Sequence, residues 1–269
     1  MKKLSKKDRI IVTIASIVLT IALSCQGWYY WPWFGGEVYR TNLRLTDFSS
    51  YQTTKTSFSS DDLFVENTTG LDKHQLCKLF RCIVINIEFG LPTRAIQKWE
   101  DPLRLFIDGT PSDEDLAIIE EICDTMNSTP GFPGISTVPS EEEANFVFHL
   151  LDDAEYDHWE RTHLVKHSNG LTTFIFNDDR TLILSVDGGV RNSLDRYNKT
   201  SVIWEEMMQA TGLKNDTIMY SETLFYNGAY NVSKATPFDI LMLRLLYLPQ
   251  IKPGMPYAHC LPYLFTFIR

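Results

Sequence analysis

Basic residues are scarce in this chain of 269 residues, where 25 Lys and Arg stand against 34 Asp and Glu. Residues 1–9 hold five of those basic residues and one acid, so the remainder carries 20 against 33, a net charge of −13. Such a surface repels phosphate backbones and argues against nucleic acid as a partner. Cysteine is sparse too, at five residues. Cys77-x4-Cys82 is not a zinc-ribbon spacing, and Cys77, Cys82, Cys123 and Cys260 supply two disulfides at most, with pairing open. Phosphate-binding loops, dinucleotide fingerprints and nucleophile elbows are missing. No internal repeat is present. With 44% hydrophobic and 13% aromatic residues, the chain nevertheless has ample material for a core.

What is there begins at the N-terminus. Lys2, Lys3, Lys6, Lys7 and Arg9 precede an apolar run from Ile10 to Ser24, and no charged residue follows until Glu37. Fifteen residues span only ~22 Å as a helix, short of a hydrocarbon layer of ~30 Å. Extension through Trp28, Tyr29, Tyr30 and Trp31 adds rings suited to the membrane–water interface. The segment reads as a signal anchor inserted in the lipid bilayer, with its basic flank cytoplasmic and the rest outside. A cleaved signal peptide is one alternative. A lipid anchor at Cys25 is another, because Ala22-Leu23-Ser24-Cys25 loosely resembles a lipobox while departing from its Leu-Ala-Gly-Cys order. The resulting division is a cytoplasmic basic tail (1–9), a transmembrane anchor (10–31), an aromatic collar with a Ser/Thr-rich lead-in (32–70) and one exported domain (71–269).

Within that domain, Leu76, Leu79, Phe80 and Ile83 have helical spacing, and Ile83–Phe89 is open between helix and strand. Leu103–Ile107 reads as a strand closed by Asp108-Gly109. Thr110-Pro111-Ser112-Asp113 reads as a helix start with Thr110 as cap, ahead of a face made by Leu116, Ile119, Cys123 and Met126. Strands are expected at 144–151, 172–176 and 181–186, the last closed by Asp187-Gly188-Gly189. Two helices follow, Val202–Thr211 stopped by Gly212 and Ile240–Tyr247 opened by Thr236-Pro237-Phe238-Asp239. Strands and helices mixed without a regular βαβ repeat predict an α+β fold.

The helix from Trp204 to Thr211 carries the chemistry. Glu205, Glu206 and Gln209 fall on one arc, with Ile203, Trp204, Met207, Met208 and Thr211 opposite, which fits an amphipathic helix with a solvated acidic face. With Gly212 as the fixed point, Glu-Glu-x-x-Gln-x-x-Gly-x-x-Asn also overlays His-Glu-x-x-His-x-x-Gly-x-x-His, the zincin metal helix. Glu205 and Gln209 then stand at two histidine positions, Glu206 at the general-base position and Asn215 at the third ligand. Zinc prefers imidazole and thiolate, so no metal or other cofactor is expected. His158, His163 and His167 form a rival cluster, read as a surface feature in a solvated stretch.

The sequence resembles the bacterial domain-of-unknown-function family 2927. The matching stretches are Phe89-Gly90, Lys98-Trp99-x-x-Pro102-Leu103-Arg104, Gly109-x-Pro111-Ser112, Ala144-Asn145-Phe146-Val147-Phe148, Glu205-Glu206-x-x-Gln209-x-x-Gly212-Leu213-x-Asn215-Asp216, and Asp239-x-x-x-Leu243-Arg244-Leu245-Leu246-Tyr247-x-Pro249-x-x-x-Pro253-Gly254-Met255. The resemblance implies a zincin-like mixed sheet with an active-site-type helix whose histidines are replaced in the family as they are here. One departure is Leu224-Phe225-Tyr226-Asn227-Gly228, where the family tends to Ser-Ile-Phe-Asn-Asp. The expectation is a non-catalytic domain binding a protein, peptide or envelope component through Glu205, Glu206, Gln209, Asn215 and Asp216. The alternative is a hydrolase or peptidase with Glu206 as general base.

Overall fold

Five strands in the order β2-β1-β3-β5-β4 form the sheet on which the domain is built. The computed structural model describes residues 63–86, 93–228 and 231–269. The expected anchor and Cys25 lie outside these residues. None of the described helices is long and apolar enough to cross a membrane.

Chain order is α1 (Lys73–Phe80), a π-helical turn (Arg81–Ile85), β1 (Leu103–Gly109), α2 (Asp113–Asn127), β2 (Ile135–Thr137), β3 (Phe146–Leu151), α3 (Asp153–Thr162), β4 (Gly170–Phe176), β5 (Ile183–Arg191), α4 (Arg196–Ala210), α5 (Pro237–Leu246) and α6 (Tyr257–Phe267). β1 pairs in parallel with β2 and β3, and β3 with β5, while β4 runs antiparallel along the outer side of β5. The fold is thus mixed α/β around one mixed sheet. Phe146, Phe148 and Leu150 of β3 share one face of the sheet and are fully buried.

Three boundaries differ from the sequence expectation. α2 is capped by Ser112, not Thr110: its side chain accepts from the Asp115 amide, and Asp115 returns a bond to the Ser112 amide. The buried face of α2 is Asp115, Ile118, Ile119, Ile122 and Met126, leaving Leu116 exposed. β5 does not stop at Asp187 but runs through both glycines to Arg191. A Cβ on Gly189 would come within 2.9 Å of the Trp159 ring, and one on Gly188 within 3.2 Å of Phe148. The glycines allow close packing above and below the strand; they do not end it.

α4 begins six residues before the expected start, with Asp195 accepting from the Asn198 amide. Its first turns are polar yet sheltered: Lys199 Nζ lies 2.7 Å from Asp115, and Ser201 Oγ donates to the Val232 carbonyl at 2.6 Å. The helix packs against β4, β5 and α2. At its far end, Trp99 Nε1 donates to the Ala210 carbonyl and Tyr247 Oη to the Thr211 carbonyl, both at 2.8 Å. These bonds satisfy carbonyls that a helix C-terminus leaves open. Gly212 follows at φ +108°, where a Cβ would meet the Gln97 carbonyl oxygen at 3.0 Å. α5 is capped by Thr236 and Asp239 with Pro237 in the first turn, as its sequence predicts.

The start and end of this body meet. Leu63 and Val65 are buried, and Val65 exchanges backbone bonds with Phe267 and Arg269 at 2.8 and 2.9 Å.

Candidate functional site

The acidic arc of α4 faces the interior, which overturns the expected solvated face. Glu206 is 5% exposed and Gln209 2% exposed. Only Glu205 of the three is half-buried. The cause is the edge strand: Thr172 of β4 points toward α4, and its hydroxyl donates to Glu206 Oε2 at 2.7 Å and to the Glu206 carbonyl at 3.1 Å. Gly170, two residues along on the same face, leaves the space that Glu206 fills; a Cβ there would sit 2.4 Å from Glu206 Oε1 and from Val202 Cγ1.

Beyond Gly212 the chain folds back on the helix. Gln209 Nε2 donates to Asp216 Oδ1 at 3.2 Å. The Asn215 amide donates to the Asp216 carbonyl at 2.7 Å and to the Cys82 carbonyl at 3.2 Å. Cys82 Sγ adds a contact to the Asp216 carbonyl at 3.4 Å. Lys214, 1% exposed, donates from Nζ to the Val84 carbonyl at 2.6 Å, and burial pushes its ammonium down to about 7. This lysine ties the turn to the end of the π-helical segment.

Zinc does not fit this set. Glu206 is turned to Thr172, Gln209 to Asp216, and Asn215 presents an amide N–H to two carbonyls. No imidazole or thiolate pair stands at these positions, so the donors that zinc prefers are absent from the set. Among the described residues, no group of three His, Cys, Asp or Glu side chains could hold a metal ion. Glu206, Gln209, Asn215 and Asp216 therefore lie along one seam of α4 and the turn after it, where Glu206 is bonded to Thr172 and, separately, Gln209 to Asp216. Thr172 and Gly170 complete the seam, and sequence reasoning missed both. Their only signal was a strand position.

The departing loop has a structural role. Thr223 Oγ1 donates to Asp239 Oδ1 at 2.5 Å, and the Leu224 amide approaches both Asp239 oxygens at 3.3 Å. Burial raises the Asp239 carboxyl to about 6 against these donors. The loop is thereby tied to the cap of α5.

A second cluster lies on the opposite sheet face. His149 Nδ1 is 2.8 Å from Asp108 Oδ2 and Nε2 is 2.9 Å from Asp187 Oδ1. His163 Nε2 is 3.3 Å from Asp187 Oδ2, and its Nδ1 is 3.1 Å from the Trp159 carbonyl. Trp159 packs against both imidazoles, with ring centres 5.4 and 4.8 Å away. Glu160, 3% exposed, accepts from the Ser168 amide and hydroxyl, both at 2.6 Å. The stretch around His158, His163 and His167 is therefore not simply solvated, although His158 and His167 are exposed. Cys77, Cys82, Cys123 and Cys260 are all free thiols.

No curated protein and no solved structure matches this chain. A family model matches residues 73–265, a span that includes the sheet, the α4 seam and the turn beyond Gly212, and the chain belongs to that family, described as a protein of unknown function (DUF2927).

Proposed function

We propose that this chain is a membrane-held, extracytoplasmic domain of zincin-like ancestry, in which the metal helix has become a structural seam. It works by binding a protein, peptide or envelope component. The observation that carries this reading is the burial of Glu206 and Gln209 against Thr172 and Asp216. A general base must reach its substrate's proton directly or through one water, whereas Glu206 is packed against Gly170, Val202 and Thr172. The zincin spacing around Gly212 supports the ancestry, as does a mixed sheet whose antiparallel edge strand lies along the helix. The basic-flanked apolar run supports the membrane attachment.

The surface offered for binding is the β4 edge. Among the described residues no strand pairs with its outer side, and Ile175 is 64% exposed. An extended segment adding to such an edge gains main-chain hydrogen bonds, with side-chain contacts setting specificity.

The test uses the full chain in detergent. Zinc is measured after dialysis, and a peptide mixture is incubated with and without chelator. The expected result is less than stoichiometric zinc and no chelator-sensitive cleavage. Stoichiometric zinc with cleavage abolished by chelator and by Glu206→Gln would establish the hydrolase instead.

A further inference from the structure

Three adjacent strands bring Asp108, His149 and Asp187 to one face. Asp108 and His149 are register partners between β1 and β3, and Asp187 pairs with Val147, one step back on the same face. The side chains alternate acid, base, acid, base: Asp108, His149, Asp187, His163. His149 and His163 are 14 residues apart in sequence, and every other pair is separated by 24 or more.

The contacts fix a proton count. A neutral imidazole has one N–H and one lone pair. If His149 gives its only proton to Asp108, the lone pair on Nε2 faces a carboxylate oxygen 2.9 Å away. That Asp187 oxygen is buried and has no hydrogen-bond partner among the described residues, which leaves the ring nitrogen of His149 as its close polar neighbour. Both carboxylates are matched together only by the imidazolium. Burial acts to lower the His149 value, but the bond and charge of Asp187, then those of Asp108, outweigh it and hold the imidazole above its ordinary range.

We propose that this array is a proton-operated latch, which holds the C-terminal end of α3 and the connection 163–169 to the sheet while His149 is an imidazolium. His163 is the residue after α3, and Trp159 lies on Gly189 of β5 between the two imidazoles. The other acids of this side, Asp153, Asp157 and Glu160, are engaged by Arg191. Thr173 of β4 donates to the Asp187 carbonyl at 3.1 Å. Leu164 and His167 in the connection have φ of +62° and +66°, a conformation non-glycine residues hold only when their surroundings impose it. A group with a raised folded value stabilises below its unfolded value and loses that contribution as pH rises through the folded one. The latch therefore loosens on the alkaline side and frees the segment leading into β4. This inference is independent of the zincin-like and membrane readings.

The experiment follows the His149 ring by NMR and amide exchange by mass spectrometry in the full chain from about pH 6 to about pH 9, with rates corrected for intrinsic pH dependence. The expected result is a His149 midpoint above the ordinary histidine value and a several-fold loss of protection at 153–169 that tracks it, with α4 unchanged. His149→Gln should remove the pH dependence. Asp108→Asn, which keeps the ring, should lower the midpoint, so the idea stays testable if the first variant fails to fold. An unraised midpoint, protection at 153–169 indifferent to the titration, or an unmoved midpoint in Asp108→Asn would overturn the latch.

Discussion

On the side of the sheet where α4 and α2 pack, carboxylates are sealed. Glu206 is 5% exposed and takes a hydroxyl donor, and Asp115 is fully buried between Lys199, Arg196 and the Ser112 cap. On the α3 side, Asp108 and Asp187 keep 47% and 39% of their side-chain exposure and face imidazoles. The difference lies in what compensates each charge. Glu206 and Asp115 face a hydroxyl, an ammonium and a guanidinium, with no imidazole in contact. Asp108 and Asp187 face a histidine, the side chain whose ordinary charge change lies nearest to neutrality, held above its ordinary range by the two carboxylates, which is the basis of the proposed response to pH.

The pH windows can be opposed directly. Burial works to raise the Asp115 carboxyl, but the Lys199 and Ser112 hydrogen bonds and the Lys199 charge hold it below the usual range. Its stabilisation is present above the unfolded value and lost only as pH falls through the folded one. Asp115→Asn is the most damaging change expected, about 3 kcal/mol for breaking a buried pair. It should also flatten the acid limb of stability against pH in urea titrations. An acid limb as steep as before would show that the pair is not what this face depends on.

Next come the two glycines. Gly170→Ala drives a methyl into Glu206 and Val202 inside the seam, where overpacking costs about 1–3 kcal/mol. Gly189→Ala meets the edge of one indole ring at 2.9 Å and should cost roughly 1 kcal/mol, at the low end of that range. Equal losses in chemical denaturation would remove the distinction between a sealed and an adaptable face.

Thr172→Val takes the hydroxyl from Glu206 Oε2 without changing side-chain volume much, and about 1–2 kcal/mol is expected from an acceptor losing its donor in a buried place. A negligible change would mean that Glu206 is held by its other contacts. Smallest is Ser112→Ala, which removes the α2 cap for about 1 kcal/mol. It should also weaken Asp115's hold at acid pH, because the Ser112 hydroxyl is one of the groups keeping that carboxyl ionised.

What could be read in advance was local. Thr236, Pro237 and Asp239 sit within four residues, and α5 starts where they predict. β1 and β3 were legible as apolar runs between turn residues. The spacing around Gly212 also picked out residues that do share a seam. Asp187-Gly188-Gly189 misled because the same glycines that make turns also admit a tryptophan ring against a strand. The polar start of α4 looked unlike a buried helix, since Lys199 is neutralised by Asp115, 84 residues away. Thr172 reaches Glu206 across 34 residues, and the Asp108–His149–Asp187 array needs three strands in register. No local pattern encodes such meetings.

Val65 and the last three residues hold one another by backbone bonds, with Asn67 adding a further one to Arg269. A load applied at Val65 therefore passes directly to the residues that close α6. Trimming Phe267–Arg269 would remove the backbone partners of Val65 and Asn67 along with three residues of sequence. Residues 65–67 and 267–269 behave as a single knot, and a fusion after Arg269 is also a modification of the segment that holds Val65.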